Sequence, residues 1–456
     1  MTNEKLNEIT SQINQTTSED VVGVSYGFKI VDGSVTSEKS LIYTVKEKKP
    51  LNDIPEEDRI PSTIDVDGES VKTDVIQGSV ELQGFGNFCD PQWTQWQTVA
   101  PGNRNTHRPL MGGVSTTNWG SLSGTVGTLG FIAKDSTDNS LVGVSNNHVL
   151  VDDAFFTNER DPLGVRTNVF QDICTQPNDG ANVGPSFRVG VIKRYQPINQ
   201  TNKVDGALMA IDDLSLLDPA ISWQQFGITG MTSAPRFATT VEINLALDNP
   251  SQEFYISSRT TGPKGQDDTK LLNYSSSSSI LIGYKKQGVL TNVYMNSTFE
   301  LVASGSSTPN GEYCYYPSAG GDSGSAVLTR INDDLVIVGL LYGGRSTYDP
   351  ETETNIPAYT LCNRIDNVAD QLSIKEWDGT FNNVVLNQTG SPLTHIVGGV
   401  SAVKKMKVGG LTYHQQGLVN NSDFLPDPTP QPSPAPTDAP GPTPLPSPTP
   451  TDGPLE

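Results

Sequence analysis

The chain has 456 residues, 35% of them hydrophobic and 18% charged, enough apolar content to bury one large core or several, and its length corresponds to roughly two to four domains. Its 51 acidic and 30 basic residues leave a net charge of −21. Nucleic acid and anionic membrane would both repel such a surface, so proteins or peptides are the expected partners.

From the amino terminus, Met1 to Asp20 is polar and holds no apolar core ahead of a small-residue cleavage site. No secretory signal is read there, and the chain is expected to stay in the compartment that makes it, the cytoplasm, unless it travels with a virion or by a non-classical route. From Val21 to Gln77, the apolar β-branched runs Val21–Ile30 and Leu41–Val45 precede a polar, Pro-bounded stretch and two shorter β-like runs. This order predicts a small α+β module within residues 1–84. Residues 85–123 are rich in Gly, Pro, Asn and Trp without a sustained period, the pattern of an extended connector.

From Gly124 the character changes. Short β-like runs recur between Gly, Asn, Asp and Ser clusters, among them Leu141–Val144, Val204–Ile211, Ile280–Tyr284, Phe299–Val302 and Ser325–Leu328. Such spacing predicts an all-β barrel or sandwich over 124–375. The longest apolar run, Leu335–Tyr342, is strand-sized, so no membrane helix is read. Ile365, Val368, Ala369 and Leu372 fall at i, i+3, i+4 and i+7 and predict one closing helix. Residues 376–424 form a further β-like stretch, and 425–456 are a Pro, Thr, Ser and Asp tract that cannot bury enough apolar surface to order itself. The cysteines at 89, 174, 314 and 362 make no Cys-x-x-Cys pair, so neither a zinc ribbon nor a redox motif is indicated, and no cofactor or metal is implied.

The strongest chemical signal is Gly320-Gly321-Asp322-Ser323-Gly324-Ser325. Attack on a peptide carbonyl needs a hydroxyl on a tight turn, with backbone N–H groups aimed where negative charge develops. Gly321 tolerates a positive φ, and its N–H together with that of Ser323 forms a candidate oxyanion hole, with Asp322 bracing the loop. A serine needs a base, and the histidines are only His107, His148, His395 and His414. A strand, Leu141–Val144, delivers His148 to a turn. The imidazole in turn needs a carboxylate, and Asp205 opens an apolar run where an unsatisfied charge would be costly. Asp212 and Asp213 are the rivals.

The order His148, Asp205, Ser323 resembles that of chymotrypsin-like serine proteases. Within that clan, Arg108–Ser115, the Ser-Asn-Asn-His-Val-Leu segment at 145–150 and Ser258–Gly262 are similar to leaderless bacterial and plant narrow-leaf-type trypsin-like peptidases, over roughly 108–374. The resemblance implies a mainly β fold of two six-stranded β-barrels with the triad between them. It also implies a peptide substrate added as a strand along Leu341, Tyr342, Gly343 and Gly344. Pro317 stands where trypsin-like pockets carry an acid, and Pro357 is read as the following wall position, so a preference for small or apolar side chains is expected over basic ones. Ile396-Val397-Gly398-Gly399 matches the letters of a freed activating terminus but follows Ser323, so Asp322 is expected to be satisfied by nearby backbone N–H groups. Two other readings stand beside this one. One is a silent member that only binds peptide; the other is a structural or adhesive protein, for instance virion-associated, whose role lies after Trp377.

Overall fold

The computed structural model describes Lys5, Ile9 and residues 20–31, 34–82, 105–118, 126–151, 173–175, 187–199, 201–265, 270–286, 289–304, 317–349, 354–382 and 384, with short pieces at 395–397, 400–402, 405–408 and 411–414. The description below concerns these residues, and the Pro-rich tail read at 425–456 lies outside them. The fold is mainly β.

The amino-terminal strands are β1 (Val21–Val31), β2 (Ser34–Val45), β3 (Thr63–Val66), β4 (Glu69–Gln77) and β5 (Val80–Leu82). The first two form a hairpin, β2 pairs parallel with β4, and β3 returns along β4. Side chains alternate across a strand. Leu41 and Tyr43 accordingly pack with Val24 and Val66 on one face, and Ile42 packs with Tyr274 and Tyr359 on the other. Between Asp20 and Leu82 the described residues contain no α-helix. The Pro-bounded stretch folds into 3-10 turns at Leu51–Asp53 and Glu56–Asp58, each entered through a proline.

A second group comprises β6 (Val114–Asn118), β7 (Val126–Leu129), β8 (Phe131–Asp135), β9 (Leu141–Ser145), β10 (Ile173–Thr175) and β11 (Arg188–Tyr195). The two-residue β12 (Thr201–Asn202) and then β13 (Ala207–Ile211) follow. Pairing runs β8–β9–β13–β11–β10–β6–β7, and β7 continues through Gly130 into β8, so chain continuity rather than a pairing links the two ends of this circuit. This circuit starts at Val114, ahead of the boundary at 124 read from composition. All residues of β6 are buried, yet Ser115, Thr116, Thr117 and Asn118 are polar and carry no hydrophobic signal.

A third group, β14 (Glu253–Ile256), β15 (Lys270–Lys286), β16 (Val289–Ser304), β17 (Ala326–Ile331), β18 (Asp334–Asp349) and β19 (Thr354–Arg364), is ordered β16–β19–β18–β17–β14–β15. A further pairing of β15 with β16 closes it into a circuit of its own. β12 lies parallel to β16, and β1 pairs antiparallel with β15. The amino-terminal strands therefore extend this sheet rather than forming a separate one.

Three α-helices follow among the described residues: α1 (Asn147–Leu150), α2 (Thr240–Leu247) and α3 (Ile365–Leu372). The predicted helix is α3, burying Ile365, Val368 and Leu372 and ending at Ser373 in the left-handed region with φ 51°. After it, β20 (Ile374–Glu376) pairs with β8 and returns the chain to the first circuit. One apolar core joins the circuits, with Val142, Val144 and Leu208 from the first meeting Phe254, Leu328 and Leu340 from the second. No helix among the described residues is long and apolar enough to cross a membrane.

Candidate active site

β9 ends at Ser145, and the chain turns through Asn146 into α1, which carries His148. Asp205 lies just before β13, and β13 pairs with β9 so that Ala207 faces Ser145. That ladder brings the imidazole and carboxylate together from positions far apart in the sequence. Asp205 is fully buried. Its backbone is held at both ends, since Asn146 Nδ2 donates to its carbonyl at 2.6 Å and its N–H donates to Asn363 Oδ1 at 3.1 Å. Its Oδ2 lies 2.6 Å from His148 Nδ1, and its Oδ1 accepts from the His148 N–H at 3.3 Å. A carboxylate at Nδ1 places the proton there and leaves Nε2 as the acceptor.

A third donor was not singled out from the sequence. Tyr284 Oη donates to Asp205 Oδ2 at 2.7 Å. Burial, followed by the charge of Asp205, holds this phenol well above its ordinary range, so it remains a donor. A hydrogen bond to a charged group contributes about 1.5–3 kcal/mol. Tyr284→Phe is therefore expected to destabilise the protein by about 1.5–3 kcal/mol, read by urea denaturation.

Ser323 occupies a turn ahead of β17 that is shaped by two glycines. Gly321 and Gly324 have φ of 93° and 94°, a region open to glycine but strained for other residues. A Cβ on Gly324 would also lie 2.2 Å from Ser145 Oγ and from Thr128 O. The turn is thus seated directly on the end of the strand that delivers His148. Asp322 is buried and its carboxylate is satisfied by four donors. Thr260 N and Thr261 N reach Oδ1 at 2.8 and 3.0 Å, and Thr261 Oγ1 and Ala319 N reach Oδ2 at 2.7 and 2.8 Å. Three are backbone N–H groups and none is a chain terminus. Two of them come from the Ser258–Gly262 turn, which is closed by Gly262 N donating to Ser258 O at 3.1 Å.

In the same turn the N–H groups of Asp322, Gly324 and Ser325 donate to Ala319, Leu341 and Asp322 carbonyls. Among the described residues, those of Gly321 and Ser323 donate to no acceptor. Ser323 is 1% exposed, and among the described residues its Oγ meets only the Tyr342 carbonyl, at 3.5 Å, beyond the usual range for a hydroxyl donor. His148 Nε2 is buried and has no hydrogen-bond partner among the described residues. The aspartate–histidine half of the constellation is joined, and the histidine–serine half is open.

The rival carboxylates are engaged elsewhere. Asp212 pairs with Arg188, and Asp213 caps a 3-10 turn by accepting from Ser215 N at 2.8 Å. His107 packs its ring on Phe226, and the side chains of His395 and His414 lie outside the described residues. His395–Val397 forms a strand whose Ile396 and Val397 run parallel to Arg194 and Tyr195 in the first circuit.

Of the expected substrate positions, Leu341 has both backbone groups engaged by the Ser323 turn, its N–H with Ser325 O and its carbonyl with Gly324 N. Tyr342 offers its carbonyl to Ser323, and Gly343 and Gly344 lie between β19 and β5. Pro317 is buried. Beside it Ser318 Oγ accepts from Thr360 Oγ1 at 2.6 Å, so the neighbouring side chains are hydroxyls rather than apolar groups. The side chain of Pro357 lies outside the described residues.

Lys264 adds a buried cation, 4% exposed. Burial lowers its pKa to about 8, with the charge of Asp322 opposing the change. The folded value is depressed, so between about pH 8 and 10 the unfolded chain binds more protons, and stability rises with pH across that window. Lys264→Met is expected to lose this rise, a difference on the order of 2 kcal/mol, read by urea denaturation of both proteins at pH 7 to 10.

No protein-family model matches the chain, and no curated protein matches it. The solved structures it is similar to include three proteases. A glutamic acid specific serine protease that uses a histidine triad in substrate binding is 14% identical, over 59% of this chain and 100% of that one, with a TM-score of 0.34. A Nocardiopsis protease is 14% identical over 59% and 98%, with a TM-score of 0.32. A Cellulomonas bogoriensis chymotrypsin is 13% identical over 59% and 98%, also with a TM-score of 0.32.

Proposed function

We propose that the chain is a serine endopeptidase, with the two strand circuits, six strands in each when β7 and β8 are taken as one bent strand, acting as a pair of β-barrels and the reaction taking place between them. The observation that carries this reading is the buried Asp205–His148 contact of 2.6 Å, beside a glycine-shaped turn presenting Ser323 and two N–H groups without acceptors. In this reading, rotation of the Ser323 side chain brings Oγ to His148 Nε2, which takes the hydroxyl proton as Oγ bonds to the substrate carbonyl carbon. The oxyanion is held by the N–H groups of Gly321 and Ser323. As the intermediate collapses, His148 returns the proton to the leaving amine, and water then hydrolyses the acyl-enzyme by the same path. Asp322 positions the turn without a zymogen cleavage.

A small fluorophosphonate probe tests this reading directly. Covalent labelling at Ser323, located by peptide mapping, supports it, and full-length protein that remains unlabelled overturns it. A peptide-library cleavage profile then defines the preferred side chains. A second reading, a silent fold that binds an extended strand, is favoured by the unjoined Ser323 and His148 groups, and absence of labelling selects it.

A further inference from the structure

β5 pairs antiparallel with β18 so that Leu82, Glu81 and Val80 face Gly343, Gly344 and Arg345. The opposite edge of the same residues pairs with Leu361, Thr360 and Tyr359 of β19. Gly343–Arg345 therefore has no free edge. Just before β5, Ser346 N donates to Ser79 O at 2.9 Å, and the two serine hydroxyls lie 2.7 Å apart. Hydrogen-bonded and non-bonded pairs alternate along an antiparallel ladder. Ser346 and Ser79 make a bonded pair, so Gly344 and Glu81, two residues on, make the next.

The direction of β5 matters as well. Along β18, Tyr342 is the residue whose carbonyl meets Ser323, and β5 runs from Ser79, opposite Ser346, to Leu82, opposite Gly343. Its carboxyl end thus points toward Ser323. The acyl part of a peptide must run the same way to bring its carbonyl to that hydroxyl. Val80 also packs on the cluster containing Tyr284 and Tyr342, which adjoins Asp205.

We infer that β5 occupies the acyl-side peptide-binding edge of the chain's own cleft, and that the amino-terminal strands hold the site closed to extended peptides until residues 79–82 leave β18. This inference rests on the peptidase reading for its consequence. The physical reason is competition: one Gly344 N–H and one carbonyl cannot serve two strands. A tethered strand acts at an effective concentration of about millimolar, comparable to or above the concentrations at which peptide substrates bind.

Glu81→Pro in the full-length chain tests it, because proline removes the N–H that pairs with Gly344 and is excluded from a paired strand interior. Hydrolysis of the best library peptide is expected to show kcat/KM raised at least about tenfold, since the tethered competitor is removed. The rate of fluorophosphonate labelling, which needs Ser323, His148 and the oxyanion hole but not the acyl-side edge, should change little. Val80→Ala, a milder change, is expected to move kcat/KM in the same direction by less, and supplies the test if the proline variant loses its circular dichroism.

An arm without chemistry uses a fluorescein-labelled peptide of residues 78–83 with Ser323→Ala proteins. Binding by the Glu81→Pro/Ser323→Ala protein and not by Ser323→Ala alone supports the inference. Equal binding, or kcat/KM unchanged in a folded Glu81→Pro protein that is still labelled, overturns it while the peptidase reading stands. Absence of labelling in every protein overturns the peptidase reading, and the binding arm still decides what occupies the edge.

Discussion

Ser323→Ala is expected to abolish phosphonate labelling and to lower peptide turnover about a millionfold. The size follows from the way the three groups work as a unit. Without Oγ there is no nucleophile, and the base at His148 has no proton to take, so His148→Ala should cost about as much and the double variant little more. Asp205→Asn differs in kind. It preserves shape but holds the imidazole in the wrong tautomer, with an expected loss of about ten-thousandfold in kcat, as the equivalent change causes in trypsin-like triads. The 3.5 Å contact of Ser323 with the Tyr342 carbonyl is longer than a usual hydroxyl hydrogen bond, so it offers little resistance to rotation of the Ser323 side chain. Turnover by Ser323→Ala equal to the parent, measured on contaminant-free protein, would sink the assignment.

The chain order of these groups was legible because each sits beside a strong local pattern. Ser323 is flanked by glycines whose positive φ is visible in the letters, and His148 follows an apolar run that becomes β9. Asp205 is conspicuous as a carboxylate against Val204 and the run that becomes β13. Tyr284 was not legible as a site residue. It closes an apolar run, and only the folding of β15 across the second circuit aims its hydroxyl at Asp205.

Hydropathy also hid strands that are polar yet buried. The serines at 275, 277, 278 and 279 are buried in β15, where Ser278 bonds Glu300 and Ser279 bonds Asn296, so a hydroxyl-rich run reads as a loop and folds as a strand. α2 was missed for another reason. Its hydrophobic pattern is weak, although Thr239 and Glu242 spell a capping box that the structure makes in full. The place of β5 was not accessible at all, since pairing between residues 80–82 and 343–345 leaves no trace in either segment.

Arg345→Leu is expected to destabilise the protein by about 3–5 kcal/mol, because it leaves the Glu300 carboxylate buried without its cation. Both side chains are fully buried, with Arg345 Nε and Nη2 donating to Glu300 Oε2 at 2.9 and 2.6 Å. Glu300 Oε1 accepts from Ser25 Oγ at 2.7 Å and Ser278 Oγ at 2.8 Å. The guanidinium lies 3.8 Å from the centre of the Tyr359 ring and 5.3 Å from that of Tyr274. One ion pair therefore draws β1, β15, β16, β18 and β19 to a single point, and Ser25 brings the amino-terminal hairpin into it. Desolvating two charges is costly, so the pair is a weak source of net stability but a strong penalty when halved. That asymmetry separates the mechanism from simple loss of packing. Arg345→Leu combined with Glu300→Leu should recover much of the loss, whereas two independent packing defects would add. Urea denaturation of the parent, both single variants and the double variant reads this directly, and additivity would refute the account.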